Sequence, residues 1–480
     1  MPRRCAMMHG MHGKWIGLAV MALAVAATAC GDDGATDSGT PGLDSGPGGD
    51  GGPGLDSGPG SQDAGDAGPD ADSATPPPPP GPGCAVLPAS GGVEMRIGPS
   101  QAGMLGDLSR SAPSGTTILL EDGTYRISGS SPALRFRNSG VTLRSVSNDA
   151  SAVVFDGDYG PGELISIEAD DVTLAHFTIM RATDHLVHVH PSDSGEDVTG
   201  TRIYGMRFID SGEQFIKINT GGGRAFFVDD GAVECSFFQL TDAGRPHIER
   251  NPGGCYTGGI DAHSARGWVV RNNEFRDIYC EGEGLAEHAV HFWSGSRDTL
   301  VENNTILNCA RGIGFGLIEN GVSRDYADDP YPGAGYIGHY DGLIRNNVIF
   351  GDVEWYDTGV ELNQARGARV YHNTVWSTAA ATGWYKSIDY RFPNTDVDIR
   401  NNLVRQIGTR AGATGRVENN AEGVDGSTFV DVGGRDFHLA AGASVAIDQG
   451  ATLGAAAGVD MDGDAHDAGS APDLGADERP

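Results

Sequence analysis

One short motif returns down most of this chain, and it restricts the fold more than any other feature. It reads as two or three β-formers, then Asn or Asn-Asn, then a residue and a large apolar side chain. Val269-Val270-Arg271-Asn272-Asn273-Glu274-Phe275, Leu300-Val301-Glu302-Asn303-Asn304-Thr305-Ile306 and Leu343-Ile344-Arg345-Asn346-Asn347-Val348-Ile349 are clear copies. Val370-Tyr371-His372-Asn373-Thr374-Val375 and Ile399-Arg400-Asn401-Asn402-Leu403-Val404 follow, and degenerate copies surround Val146, Phe177, Met206 and Ser236. Measured at the second Asn or its equivalent, the steps are 31, 29, 30, 37, 31, 43, 26 and 29 residues. A period of roughly 30 with scattered insertions marks a stacked solenoid. Short alternating strands without helical periodicity make it all-β, and three strands with three turns need roughly 20–30 residues per coil. The expectation is a right-handed parallel β-helix. At a tight bend, Asn can bond the equivalent amide one coil above and below, so the repeat also predicts an amide ladder.

Ser100 to Arg110 has the pattern of a short amphipathic helix, suited to capping the first coil. Ser111-Ala112-Pro113-Ser114-Gly115-Thr116-Thr117-Ile118-Leu119-Leu120-Glu121-Asp122-Gly123-Thr124-Tyr125 then reads as turn, strand, turn. With these features and the Asn-rich coils, residues 93–420 resemble the secreted pectate-lyase-like β-helix proteins, which include alginate and chondroitin lyases. The resemblance implies the fold and a polysaccharide partner. It does not choose a reaction, because the fold hosts lyases, hydrolases, epimerases and inert adhesins.

The chain is organised around this solenoid. Residues 1–29 read as a leader: Arg3, Arg4 and Lys14 precede an apolar stretch, Ile16 to Ala29, too short for a membrane span. Ala27-Thr28-Ala29-Cys30 resembles a bacterial lipobox, which implies lipidation of Cys30 and anchoring at the outer membrane or cell surface. Residues 30–83 form a tether with ten acidic residues, no basic residue and the run Pro76 to Pro80. Such a segment buries too little to fold. Residues 84–430 are the β-helix, and 431–480 an irregular final coil and cap. The formal net charge of -32 argues against nucleic acid as a partner and leaves the lipid anchor as the membrane contact. A monomer is expected. Cys84, Cys235, Cys255, Cys280 and Cys309 remain in an oxidising compartment, enough for at most two disulfides; the last four are expected to pair among themselves.

Between the Asn motifs lies a second alternating segment. Its copies are Val187-His188-Val189-His190, Ile216-Lys217-Ile218-Asn219, Ile260-Asp261-Ala262-His263, Val290-His291-Phe292-Trp293, Ile313-Gly314-Phe315-Gly316, Val360-Glu361-Leu362-Asn363 and Ile388-Asp389-Tyr390-Arg391. A strand period of two sends the first and third residues inward and the others outward. Stacking then gathers the outward set into one stripe, with Gly314 and Gly316 leaving room for a ligand. Insertions at about 241–258, 318–340 and 376–386 would wall it, carrying Tyr256, Tyr326, Tyr331, Tyr336, Tyr340 and Trp384 toward sugar rings.

Elimination from a uronate needs a neutralised carboxylate, a base for the C5 proton and help for the leaving oxygen. Lys217, His263, His291 and Arg391 are the catalytic candidates: a lysine or histidine base, a histidine acid and a guanidinium fork. His188, His190, Asn219, Trp293, Asn363 and Asp389 are candidates for substrate binding. Asp261 and Glu361 are candidate ligands for Ca²⁺, the expected cofactor. His185, His188 and His190 look like a metal cluster but lack a third matched ligand, and Glu287-His288-Ala289-Val290-His291 lacks the helical spacing of a zinc protease. Asp460, Asp462 and Asp464 begin like a calcium loop, yet Ala465 stands at the turn position, which favours a structural cap. The function expected is a surface-anchored polysaccharide lyase. The alternatives are a glycoside hydrolase using Glu361 and Asp389, and a non-catalytic glycan-binding protein.

Overall fold

The computed structural model describes residues 83–479 apart from 89–90, 193–194, 249, 252–253, 283 and 379–385. The leader, Cys30, the tether up to residue 82 and Trp384 lie outside the described residues. The chain winds into a right-handed parallel β-helix with three long sheets. The first begins at Glu94–Ile97 and Thr117–Leu120, the second at Gly123–Arg126 and Val153–Asp156, the third at Leu134–Phe136 and Ile165–Ile167. In the third sheet, ten strands run in stacking order to Lys386–Arg391 and Ile407–Arg410. A 3₁₀ turn at Pro99–Met104 and a helix at Leu105–Ser111 close the N-terminal end, with Leu105 and Ala112 joining the core.

The core is a column of side chains repeated coil by coil. Val187, Ile216, Ile260, Val290, Ile313, Val360 and Ile388 are in register and fully buried. Phe208, Phe238 and Phe275 stack in successive coils, at 4.6 and 4.4 Å between centroids. Burying each such side chain contributes about 1.5–3 kcal/mol.

The repeated Asn forms the ladder. Asn273, Asn304, Asn347, Asn373 and Asn402 each donate from Nδ2 to the Oδ1 of the next, and the series ends on Asn420. The same amides donate to Val270 O, Val301 O, Ile344 O and Val370 O. The residue before each rung takes a left-handed backbone, as at Asn272 (φ 55°), Asn303 (φ 54°) and Asn346 (φ 55°). Asn is among the few non-glycine residues that tolerate this, which explains the doublet. Asn304→Ala would orphan the Asn273 N–H and take the amide donor from the Val270 carbonyl. It should cost about 2–3 kcal/mol, read as a lowered denaturant midpoint.

Two segments strap the outside of this turn line. Cys84 bonds to Cys235, and Arg144 donates to Leu87 O and Pro88 O. The other disulfide is Cys255–Cys280, so pairing is not confined to the last four cysteines. Cys309 is left as a buried thiol, held protonated by its apolar surroundings. An N-terminal strap needs its own staple, since residues 84–88 contain little to bury. The C-terminal segment lies alongside the coils rather than on their end: Asn346 donates to Ala457 O and Asn401 to Ala451 O. A hairpin of Phe429–Asp431 and Asp436–Leu439 packs Phe429, Phe437 and Leu439 against Phe350 and Leu403. Asp460 is fully buried and accepts from the backbone N–H groups of Asp462, Asp464 and Glu478. Its carboxylate therefore organises a turn.

Burial pushes the Glu478 carboxyl up to about 7. A carboxyl raised on folding contributes stability that is complete below the unfolded value of about 4.3 and is lost as pH rises through 7. Thermal melts of the wild type should therefore decline between about pH 4 and 7, and Glu478→Gln should remove that component.

Candidate functional site

The outward face of the third sheet holds three columns of side chains, not two. Residues pair at Gln214–Gly258 and again at Ile216–Ile260, at His288–Arg311 and again at Val290–Ile313, with the intervening residue left out of register. Phe215 and Ile216 both enter the core, as do Ala289 and Val290. A straight strand cannot send consecutive side chains inward, so each coil turns a corner there. The residue before the corner consequently faces outward again, which adds His288 and Arg311 to the face.

Asp261 is the centre of the first cluster. Its Oδ2 takes Lys217 Nζ at 2.6 Å and His263 Nε2 at 3.2 Å; its Oδ1 takes Trp293 Nε1 at 2.9 Å. His291 Nδ1 lies 3.3 Å from Oδ1 and 3.4 Å from Glu287, at ion-pair distance without well-directed hydrogen bonds. Burial opposes charge on Asp261, yet the field of Lys217 and the hydrogen bond from His263 hold it well below the carboxylate range. For His291, burial is outweighed by Asp261 and Glu287, and its pKa rises to about 9. For His263, burial wins and the pKa falls below the ordinary value, so the ring is neutral at neutral pH. With Nε2–H donating to Asp261, its Nδ1 is the basic nitrogen.

Glu361 is the centre of the second cluster. Arg391 Nη2 and Asn363 Nδ2 reach its Oε1 at 2.9 and 3.0 Å, and His288 Nε2 reaches Oε2 at 3.0 Å. Arg311 stands 3.9 Å away. Arg391 also donates to Asn363 at 2.8 Å. Next to it, Asp389 is fully enclosed by a two-pronged contact from Arg410, at 2.6 and 3.0 Å.

The expected site residues therefore separate. Lys217, His263 and His291 converge on Asp261, but Arg391 stands four coils from His263, about 19 Å along the stack. It belongs to a different part of the face. His291 is 0 % exposed and lies beneath the surface, so it positions others rather than meeting substrate. Asn363 and Asp389 are likewise buried in ion-pair networks instead of facing a ligand. The oxygens of Asp261 and Glu361, the candidate Ca²⁺ ligands, face N–H donors in this structure. The accessible column is His190, Asn219, His263, Trp293 and Arg391, each partly exposed. His188 and His190 form a separate group near the N-terminal end, against Glu163 at 2.7 Å and Ser166 at 3.1 Å.

Gly314 does not make room for a ligand. A Cβ there would sit 2.7 Å from His288 Nε2, so the glycine accommodates that ring. Gly314→Ala should displace His288 from Glu361 and destabilise the fold by about 1–3 kcal/mol, measured by denaturant unfolding. The tyrosines also divide. Tyr326, Tyr331 and Tyr340 pack with Arg297, Arg324 and Arg366 beside the first sheet. The Tyr336 hydroxyl is buried. Tyr256 alone of the described five meets the stripe, its hydroxyl 3.4 Å from Lys217 Nζ.

Glu287, His288 and Arg311 had a signal in the sequence. Gly259, Ala289, Gly312 and Gly359 precede the inward aliphatic in four coils, a small-residue repeat that marks the corner.

No family model and no curated protein matches this chain. Solved structures do. A pectate lyase, Pel9A, superposes with a TM-score of 0.50 at 16% identity, covering 83% of this chain and 98% of that one. An alginate lyase from Paenibacillus sp. gives 0.40 at 15%, with 67% and 97% covered. The surface adhesin PfbA of Streptococcus pneumoniae gives 0.38 at 10%, with 66% and 87%. The first likeness shows the pectate-lyase-like β-helix fold.

Proposed function

We propose that this protein binds an acidic polysaccharide along the outer face of the third sheet and cleaves it by β-elimination. The observation that carries this reading is the His263–Asp261 pair: a neutral, partly exposed imidazole oriented by a buried carboxylate, with Lys217 and Tyr256 on one flank and Trp293 on the other. His263 Nδ1 takes the C5 proton, the electron pair forms the C4–C5 double bond, and the C4–O bond breaks. The leaving oxygen is protonated from the Lys217–Tyr256 side. Trp293 offers a face to a sugar ring, and Arg391 holds a uronate carboxylate several residues along the chain. Anchoring through a lipidated Cys30 would place this groove at the cell surface, on a monomer, and among the described residues no helix is long and apolar enough to cross a membrane.

A hydrolase is disfavoured because Glu361 and Asp389 are both neutralised by arginine. A non-catalytic glycan binder is supported by one observation: the stripe cations Lys217, Arg391 and Arg410 each already face a carboxylate. The test is a panel of uronate-containing and neutral polysaccharides, read as reducing ends and as ultraviolet absorbance of unsaturated sugar. Both signals on a uronate polymer support the lyase. Binding with neither signal would make the binder the correct reading.

A further inference from the structure

His288 and His291 lie on the strand His288–Trp293 with Glu287 immediately before it, and because the chain turns its corner at Ala289 and Val290 the two imidazoles share one outer face. One ligand atom from each lies within 4.8 Å of the other two. Both imidazoles are oriented in the same way. His288 Nε2 faces the Glu361 carboxylate at 3.0 Å, and His291 Nε2 faces the Gly316 carbonyl at 3.2 Å. That leaves Nδ1 of each as the nitrogen open to an ion: His288 Nδ1 is buried with no hydrogen-bond partner, and His291 Nδ1 is buried between Asp261 Oδ1 at 3.3 Å and Glu287 at 3.4 Å, a position that a proton or a metal cation can occupy. The residues themselves are 1 % and 0 % exposed. A buried nitrogen without a partner, as His288 Nδ1 is, calls for an explanation, and a bound ion is one of the few available. Metal-bound histidines regularly present one nitrogen to the ion and the other to a carboxylate or carbonyl, which is the arrangement here.

We infer that Glu287, His288 Nδ1 and His291 Nδ1 form a site for a divalent transition-metal ion of the zinc type. Two imidazoles and one carboxylate suit such an ion and not Ca²⁺, which takes oxygen ligands. Asp261 Oδ1, 3.3 Å from His291 Nδ1, adds a second negative charge beside it. The Glu287 side chain is 24 % exposed, so the cluster is reached from solvent on its Glu287 side. Three protein ligands with one position open is the pattern of a zinc that meets substrate. An ion there stands one coil from His263 and supplies a positive charge for a uronate carboxylate; that use rests on the lyase reading, whereas binding of the ion does not.

The experiment titrates Zn²⁺ into chelator-stripped full-length protein by calorimetry, with no polysaccharide present. One saturable site per chain is expected, weakened at least about tenfold in Glu287→Gln and in His288→Ala. Glu287 is at the rim, so Glu287→Gln should keep its thermal melt and remains decisive if His288→Ala fails to fold. Co²⁺ in place of zinc should give the visible absorption of a low-coordinate nitrogen–oxygen site, lost in Glu287→Gln. His438→Ala, which alters another His–Asp cluster, should change nothing. Absence of saturable binding, or equal binding by wild type and Glu287→Gln, would overturn the site.

Discussion

Asp261→Asn is expected to destabilise the protein by about 3–5 kcal/mol, the cost of leaving a buried charge without its partner. The carboxylate is 4 % exposed and faces Lys217, itself 3 % exposed, at 2.6 Å. Asn keeps the shape and some of the hydrogen bonds but none of the charge. Lys217 would then be buried against neutral groups, and His291 would retain Glu287 as its only close carboxylate. Denaturant unfolding measures the loss. The double variant Asp261→Leu/Lys217→Met should recover much of it, because replacing a whole buried pair by apolar groups is far less costly than removing one member. A double variant no more stable than Asp261→Asn would show that the pair is not the source.

His263→Ala is expected to lower kcat by about 10²–10⁴, the usual contribution of a positioned base, while KM changes little. The ring is at the rim, with 23 % of its side chain exposed, so its removal should leave stability within about 1 kcal/mol of wild type. Steady-state kinetics and a thermal melt on the same preparation separate the two roles. Arg391→Ala should do the opposite, raising KM more than it lowers kcat, because Arg391 stands about 19 Å from the base. A collapse of kcat in Arg391→Ala with His263→Ala unaffected would move the reacting centre to Glu361.

Much of this architecture is legible in the sequence because a solenoid writes its register into its repeats. The Asn doublets at 272–273, 303–304 and 346–347 mark both the left-handed turn and the ladder rung. The seven alternating segments align in the register that the sequence predicts, Val187 through Ile388. Alternation fails at the corners, where two consecutive residues point inward. His288 then changes sides, and with it the meaning of Gly314. Burial within the outward face is also invisible to periodicity: His291, Asn363 and Asp389 point outward and yet lie covered, each tied to a neighbour one or more coils away. The expectation that Cys235, Cys255, Cys280 and Cys309 pair among themselves fails because Cys84 reaches Cys235 across 151 residues of chain, a proximity that only the stacking of coils creates.

The central claim is that the groove performs elimination rather than hydrolysis. The most direct test digests a susceptible uronate polysaccharide in heavy-oxygen water and weighs the products by mass spectrometry. Elimination adds no water, so the account predicts unlabelled fragments whose masses sum to that of the substrate, each cleavage leaving one unsaturated end. Fragments carrying one heavy oxygen per cleavage would contradict it.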